Sequence, residues 1–278
     1  MKTNSLAGKI ALVPGAARPV GRAIASRFAL AGATLVLPVH DRPESIAELE
    51  EELRRDGHRY SLHHVDLRNR EEVARFAAII AKDQGKIDYL INNIERGGMP
   101  VVHGSYDQPH NQGQWELEIA TTMTAKWLLY HHFFPLMRGG GGAVVNLSSV
   151  AAIVGRSGPA APLFSDGYSA ANRAVGLFTE TWAREAAPTI RVNELMLGLV
   201  RSRHGEDTRG WAALDERNRK AIREAIPLGR TGLPEEVADA VFFLAVEATY
   251  LTGATLRMDG GLTAGGGPVP PLPPGILH

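Results

Sequence analysis

Along the chain, short runs of apolar and β-branched residues alternate with longer stretches whose apolar positions recur every three or four residues. The runs predict strands at 10–13, 35–39, 60–65, 89–92, 143–147, 190–195 and 255–258. Between them, Ile46, Leu49 and Leu53 fall on one face of a helix, and Val73, Phe76, Ala77 and Ile80 on one face of the next. Strand–helix alternation of this kind predicts a parallel sheet covered on both sides, wound in right-handed βαβ units. Several strands are apolar throughout rather than alternating, as expected where both sheet faces are buried. The expected fold is therefore α/β, a doubly wound parallel sheet in three α/β/α layers. With no internal repeat and no mid-chain linker, residues 1–263 are expected to form a single domain. Residues 264–278, AGGGPVPPLPPGILH, are Gly/Pro-rich and predict an extended tail outside it.

Composition narrows the partners. Thirty basic and thirty acidic side chains leave a formal net charge of +0, so neither nucleic acid nor an anionic membrane is an expected partner. No run approaches the roughly eighteen apolar residues a membrane-spanning helix needs. The start, MKTNSLAGKIALV, enters a strand without an apolar signal region. The absence of cysteine removes disulfides, thiolate nucleophiles and thiolate metal sites. The expectation is a cytoplasmic protein acting on a small molecule.

The first strand is followed by Pro14-Gly15-Ala16-Ala17-Arg18-Pro19-Val20-Gly21 and then by a helical run. A glycine turn there sets backbone N–H groups and the helix dipole against a pyrophosphate. Gly15 permits the tight turn, and Gly21 lets helix and strand pack closely. Gly15, Arg18, Val20 and Gly21 are the loop's candidate cofactor residues. Further along stand Asp66 in HHVDLRN, Asn92-Asn93-Ile94-Glu95, Asn146-Leu147-Ser148-Ser149, Tyr168-Ser169-Ala170-Ala171-Asn172, Arg191-Val192-Asn193 and the C-terminal IPLGRTGLPEEVADAVFFLA and YLTGATLRMDGG. In this order and over nearly the whole chain, these segments resemble the short-chain dehydrogenase/reductase family. They stand where it has its TGxxxGxG, NNAG, NxSS and YxxxK motifs. The resemblance implies a Rossmann-type domain holding a nicotinamide dinucleotide, with Asp66 at the adenine and Asn93 and Ser202 also on the cofactor. Two departures lie in the glycine loop: Pro14 replaces the threonine, and Pro19 replaces the middle glycine.

Choice of nucleotide turns on the end of the second strand, where a carboxylate favours NAD and a cation favours NADP. Counting from Gly32, the usual acid position is Val39, followed by His40, Asp41 and Arg42. Arg18 and Arg42 are bidentate phosphate binders in principle. His40 and Arg42 join the candidate cofactor residues, and NADP(H) is favoured over NAD(H). Asp41 argues the other way, and solvated loop arginines are the plain alternative.

The resemblance implies a hydride transfer to or from a carbonyl carbon. In that scheme a tyrosine exchanges the proton, a serine positions the substrate oxygen, a lysine assists the tyrosine, and an asparagine organises a water relay. Ser149 and Tyr168 remain; Asn172 stands at the lysine position and Thr122 at the asparagine position. An unassisted tyrosine of pKa near 10 is only about one part in a thousand phenolate at pH 7, so reduction is expected to outrun oxidation. Glu95 is a substitute acid/base or an anchor for a polar substrate at the pocket mouth, or else half of a solvated pair with Arg96. The Ser149–Tyr168 separation of 19 residues exceeds the family norm through GRSGPAAPLFSDG, an insertion expected to reshape the substrate pocket.

Ten histidines invite a metal, but adjacent pairs such as His63-His64 project in different directions and no HExxH spacing occurs. No metal site is assigned. The aromatic helix at 127–134 and the VFFLA run predict more apolar surface than one core needs, hence a homo-oligomer, tetramer or dimer. Two functions remain: an NADP(H)-dependent reductase of a carbonyl or imine, and a family member that has lost redox activity and serves as a binding or regulatory protein.

Overall fold

The computed structural model describes residues 5–97, 99–137, 139–202, 206, 208–265, 271 and 275. Seven strands form one sheet, every pairing parallel: β1 (Ile10–Leu12), β2 (Thr34–Val39), β3 (Tyr60–His64), β4 (Tyr89–Asn92), β5 (Ala143–Ser149), β6 (Arg191–Leu197) and β7 (Thr255–Met258). Their spatial order is β3-β2-β1-β4-β5-β6-β7. The strand order reverses between β1 and β4, and the crevice beyond the carboxyl ends of those strands is where such sheets bind ligands.

Helices α1 (Pro19–Leu30), α2 (Pro43–Arg55) and α3 (Arg70–Asp83) connect the first four strands. A short α4 (Pro100–His103), then α5 (Gln114–Ile119) and α6 (Ala125–Met137), lead to β5; α7 (Ala151–Val154) and α8 (Asp166–Ala186) lead to β6. Before β7 come α9 (Arg209–Ala213), α10 (Glu216–Ala225) and α11 (Pro234–Phe242). The anticipated periodicities place Ile46, Leu49 and Leu53 on the buried face of α2, and Val73, Phe76, Ala77 and Ile80 on that of α3.

Both faces of the central strands are buried. Ala11, Leu35, Leu37, Ile91 and Val145 point into one core with α1 and α11, while Leu12, Val36, Leu90, Val144 and Val192 point into the other with α3 and α6. That is the physical reason these strands read as continuous apolar runs. A third cluster, including Leu163, Phe164, Tyr168, Trp211 and Ile222, covers the carboxyl end of the sheet.

Two expectations need correction. Strands β5 and β6 run two residues further than their apolar patterns, because Ser148, Ser149, Met196 and Leu197 continue the ladder. The aromatic helix is consumed within one chain: Tyr130, Phe133 and Phe134 are buried, and Tyr130 stacks on Trp182 at 4.1 Å. Of the VFFLA run, only Phe243 is substantially exposed. The tail at 264–278 lies mostly outside the described residues.

Candidate active site

A continuous pocket crosses the carboxyl ends of β1, β2, β4 and β5. It runs from the β1–α1 loop, through the β2 end, to Ser149 and Tyr168. Of the candidate residues, Gly15, Arg18, Val20, His40, Arg42, Asp66, Asn93, Ser149, Tyr168 and Ser202 line it.

The loop is held by close packing. Gly15 has φ +71°, and a Cβ there would sit 2.5 Å from the Asn93 carbonyl oxygen; a Cβ on Gly21 would sit 2.2 Å from the Gly15 carbonyl oxygen. Asn93 Nδ2 donates to the Pro14 carbonyl at 3.2 Å, tying the loop to the end of β4. Gly21 thus shapes the loop from behind without lining the pocket. Helix α1 begins with Pro19 at its first position and has no side-chain cap. Helices α3 and α8 are capped by Asn69 and Ser165. Behind Pro19, which has no N–H, the first-turn N–H groups of α1 lack intrahelical acceptors and lie at the positive end of the helix dipole, where an anion is favoured.

At the β2 end, Arg42 adopts φ +97° as the N-terminal cap of α2. Asp66 is clasped by a residue the sequence reading passed over: Arg68 donates to its two carboxylate oxygens at 2.8 and 2.7 Å and reaches His40 Nε2 at 3.3 Å. This clasp holds the Asp66 carboxyl below the usual carboxylate range. Its charge is neutralised within the pair, so Arg18 and Arg42 face this end of the pocket with Asp41 as the principal opposing carboxylate.

At the other end, Ser149 closes β5, and its Oγ accepts from Ala151 N at 3.2 Å. Tyr168 sits in the first turn of α8, 1% exposed, with its N–H on the capping Ser165 Oγ. Its Oη donates to both oxygens of Glu95, 3.1 Å from each. Glu95 is therefore engaged with the tyrosine, and Arg96 bonds Gln114 instead; the solvated-pair reading is set aside. The tyrosine's hydrogen-bond partner is thus a carboxylate rather than the cation of the family's scheme.

Two expected catalytic residues sit differently. Thr122 Oγ1 accepts from Arg96 N at 3.0 Å, in a π-helical turn (Ala120–Thr124), and among the described residues it is its neighbour Thr121 that lines the pocket. Asn172 is wholly buried, with Nδ2 on the Tyr168 backbone carbonyl at 2.9 Å and no place in the lining. The insertion after β5 is corrected as well: among the described residues none at 150–167 lines the pocket, and Leu163 and Phe164 pack behind Tyr168 instead.

Three buried charges around the pocket and the start of α8 escaped sequence reasoning. Lys126, in the first turn of α6, lines the pocket, and burial pushes its pKa down to about 8 against the opposing pull of Glu95 and Glu194. Glu194, on β6, accepts from Ser148 Oγ and from Thr255 Oγ1. Glu118 accepts from Tyr106 Oη at 2.7 Å, Ser165 Oγ at 2.8 Å and Gln114 Nε2 at 2.9 Å, bracing the start of α8. For Lys126 the signal was a lone Lys in a helix whose neighbouring positions are mostly apolar.

The residues suit a nicotinamide dinucleotide: an uncapped helix terminus for the pyrophosphate, cations at the adenosine end, and a buried ammonium with its donors unused beside Tyr168. Comparison with known proteins agrees. The family model described as enoyl-(acyl carrier protein) reductase matches residues 15–263. The 3-oxoacyl-[acyl-carrier-protein] reductase FabG of Thermotoga maritima is 31% identical over 262 residues, 92% of this chain and 98% of that protein. An uncharacterized oxidoreductase of Bacillus subtilis, YxbG, is also 31% identical, over 93% of this chain and 92% of its own length. Among solved structures, the short-chain dehydrogenase/reductase SDR:glucose/ribitol dehydrogenase of Brucella melitensis superposes with a TM-score of 0.78 at 25% identity, covering 94% of this chain and 99% of that one. The aldohexose dehydrogenase of Thermoplasma acidophilum gives 0.76 at 27%, covering 97% and 100%.

Proposed function

This chain belongs to the short-chain dehydrogenase/reductase family, and on that premise we propose that it is an NADP(H)-dependent reductase of a carbonyl or imine group in a small molecule. It is an NAD(P)-dependent oxidoreductase of the CH–OH/C=O class, like the reductase and oxidoreductase relatives; a redox-silent member draws no support from them. The observation that carries the finer reading is the arrangement of Ser149, Tyr168 and Glu95 at one end of a pocket whose other end is the α1 terminus.

A bound nicotinamide dinucleotide supplies the hydride. Ser149 Oγ holds the substrate oxygen, and Tyr168 Oη gives it the proton as negative charge develops there. Glu95, which accepts from Oη through both oxygens, is placed to relay a proton taken up from solvent to the phenolate, and in the reverse direction to accept the proton of the tyrosine hydroxyl and release it to solvent. Arg18 and Arg42 meet the 2′-phosphate that distinguishes NADP. Asn93, Ser202, Val20 and Asp66 complete the cofactor wall, while Gly21, Asn172 and Thr122 act as packing partners of residues that line it. The same reading includes a homo-oligomer, tetramer or dimer, in the cytoplasm.

The test is a carbonyl and imine panel assayed with NADPH and NADH, in parent and Tyr168→Phe. The expected outcome is activity in the parent and a loss of roughly 10²–10⁴-fold in the variant. Calorimetric titration is expected to show NADPH binding at least about tenfold more tightly than NADH, the worth of one charge-assisted phosphate contact. Undiminished activity in Tyr168→Phe overturns the proton-donor assignment; equal or reversed affinities overturn NADP(H) and promote Asp41 to ribose binder.

A further inference from the structure

Lys126 is a charge the scheme above leaves without a task. It is 1% exposed, it lines the pocket, and its Nζ has no hydrogen-bond partner among the described residues. Its neighbours on α6 are apolar: Ala125, Leu128 and Leu129 are all buried. An ammonium enclosed with its donors unmet carries a heavy desolvation penalty and is kept where an incoming group repays it. Two carboxylates act on it, Glu95 from the segment after β4 and Glu194 from β6. Both have their oxygens committed to hydroxyls: those of Glu95 to Tyr168, those of Glu194 to Ser148 and Thr255. The ammonium is thus balanced in charge yet open in hydrogen bonding, next to the residues assigned to proton transfer. Position 172, on the neighbouring helix, supplies no charge and turns its amide to the backbone.

We infer that Lys126 is the working cation of this pocket: its ammonium binds a hydroxyl oxygen of the incoming ligand, and its charge attracts Glu95, the acceptor that holds Tyr168. This rests on the reductase reading. The hydroxyl comes from the nicotinamide-side ribose of the dinucleotide or from the substrate, and Lys126 acts on Tyr168 only through Glu95, as a positioning residue. The groups facing it that titrate or carry charge are Glu95, Glu194 and Tyr168, with Arg96 also in the lining. Because burial brings its pKa to about 8, the cation is present below that pH and lost above it, and kcat/KM for reduction is expected to fall as pH rises through this value.

The experiment compares parent with Lys126→Met, Lys126→Gln and the double variant Lys126→Met/Asn172→Lys, each first checked for native circular dichroism. Nucleotide affinity is measured by calorimetry, and kcat and KM across pH 6–10. The ribose source predicts NADPH binding weaker by roughly tenfold or more in Lys126→Met; the substrate source predicts unchanged NADPH affinity with KM raised by a similar factor. Either way the alkaline limb disappears, and Asn172→Lys is expected to recover part of the loss by bringing an ammonium from the other helix. A folded Lys126→Met or Lys126→Gln with parental affinity, KM and pH profile overturns the inference while leaving the reductase reading intact. A parent that binds NADPH but reduces nothing overturns the reductase reading; the inference is then judged on affinity alone, and unchanged affinity overturns it too.

Discussion

Lys126 has an energetic consequence for the folded chain as well as a place in the site. Its pKa is pushed from 10.5 down to about 8 because burial outweighs Glu95 and Glu194. Between those two values the unfolded chain holds a proton that the folded chain has released, so this residue makes stability rise as pH rises from about 8 to 10.5. Below about pH 8 it is a net liability. At 1.36 kcal/mol per pKa unit that liability is roughly 3 kcal/mol. Lys126→Met, an apolar side chain of similar length, is therefore expected to be more stable than the parent at pH 7, with the difference vanishing toward pH 10.5. Urea denaturation of both proteins across that range checks this; a variant less stable at pH 7 would mean that the two carboxylates need the cation more than the cation suffers from burial. A residue that costs stability and lines a pocket is what a functional site is expected to contain.

At the scale of elements, the site depends on where α8 begins and where α5 hands over to α6. Ser165 caps α8 through Tyr168 N, and Glu118 collects Ser165, Tyr106 and Gln114. Gly167 belongs to this contact, since a Cβ there would sit 2.4 Å from Glu118 Oε2. Between α5 and α6 the π-helical turn adds a residue to the helical repeat, and Lys126 follows immediately in the first turn of α6. The far side of the sheet is anchored by a separate device. The Arg191 guanidinium, at the start of β6, donates to the carbonyls of Leu244 at 2.7 Å, Ala245 at 2.6 Å and Ala248 at 2.9 Å, closing the end of the helical segment after α11. Arg191→Met keeps the packing but leaves those carbonyls without their charged donor. The expected cost is about 3 kcal/mol, lowering Tm by roughly 6–12 °C for a domain of this size. Thermal unfolding followed by circular dichroism measures it, with nucleotide affinity expected to hold because Arg191 is remote from the pocket lining.

For the whole molecule, assembly is expected at a surface other than the aromatic helix. The aromatic helix that motivated an oligomer is spent on the chain's own core. Among the exposed apolar residues, three lie along the last edge of the sheet: Tyr250 fully, Leu251 and Leu256 by 39% each, with β7 unpaired on its outer side. An unpaired, partly apolar sheet edge is a natural seat for a second copy. Light scattering is expected to give two or four times the 30.0 kDa chain mass, and Tyr250→Asp with Leu256→Asp to shift it downward; a concentration-independent single chain in the parent would refute the assembly.

What the sequence determined by itself was whatever depends on local pattern. Strand and helix positions followed from periodicity, because a residue's face in an element is set by its neighbours a few positions away. The glycine loop, Ser149 and Tyr168 were legible because each sits at a strand or helix end inside a short motif. The tertiary structure decided the rest, because it depends on contacts between distant segments. Tyr168 meets Glu95 across 73 positions, and Ser165 meets Glu118 across 47. Counting along the motif put Asn172 in the pocket, but its short side chain turns back to its own helix. The same counting passed over Lys126, whose role comes from being enclosed beside Glu95 and Glu194. Charge pairing, burial and reach act through space, and only the folded chain brings those residues within range of one another.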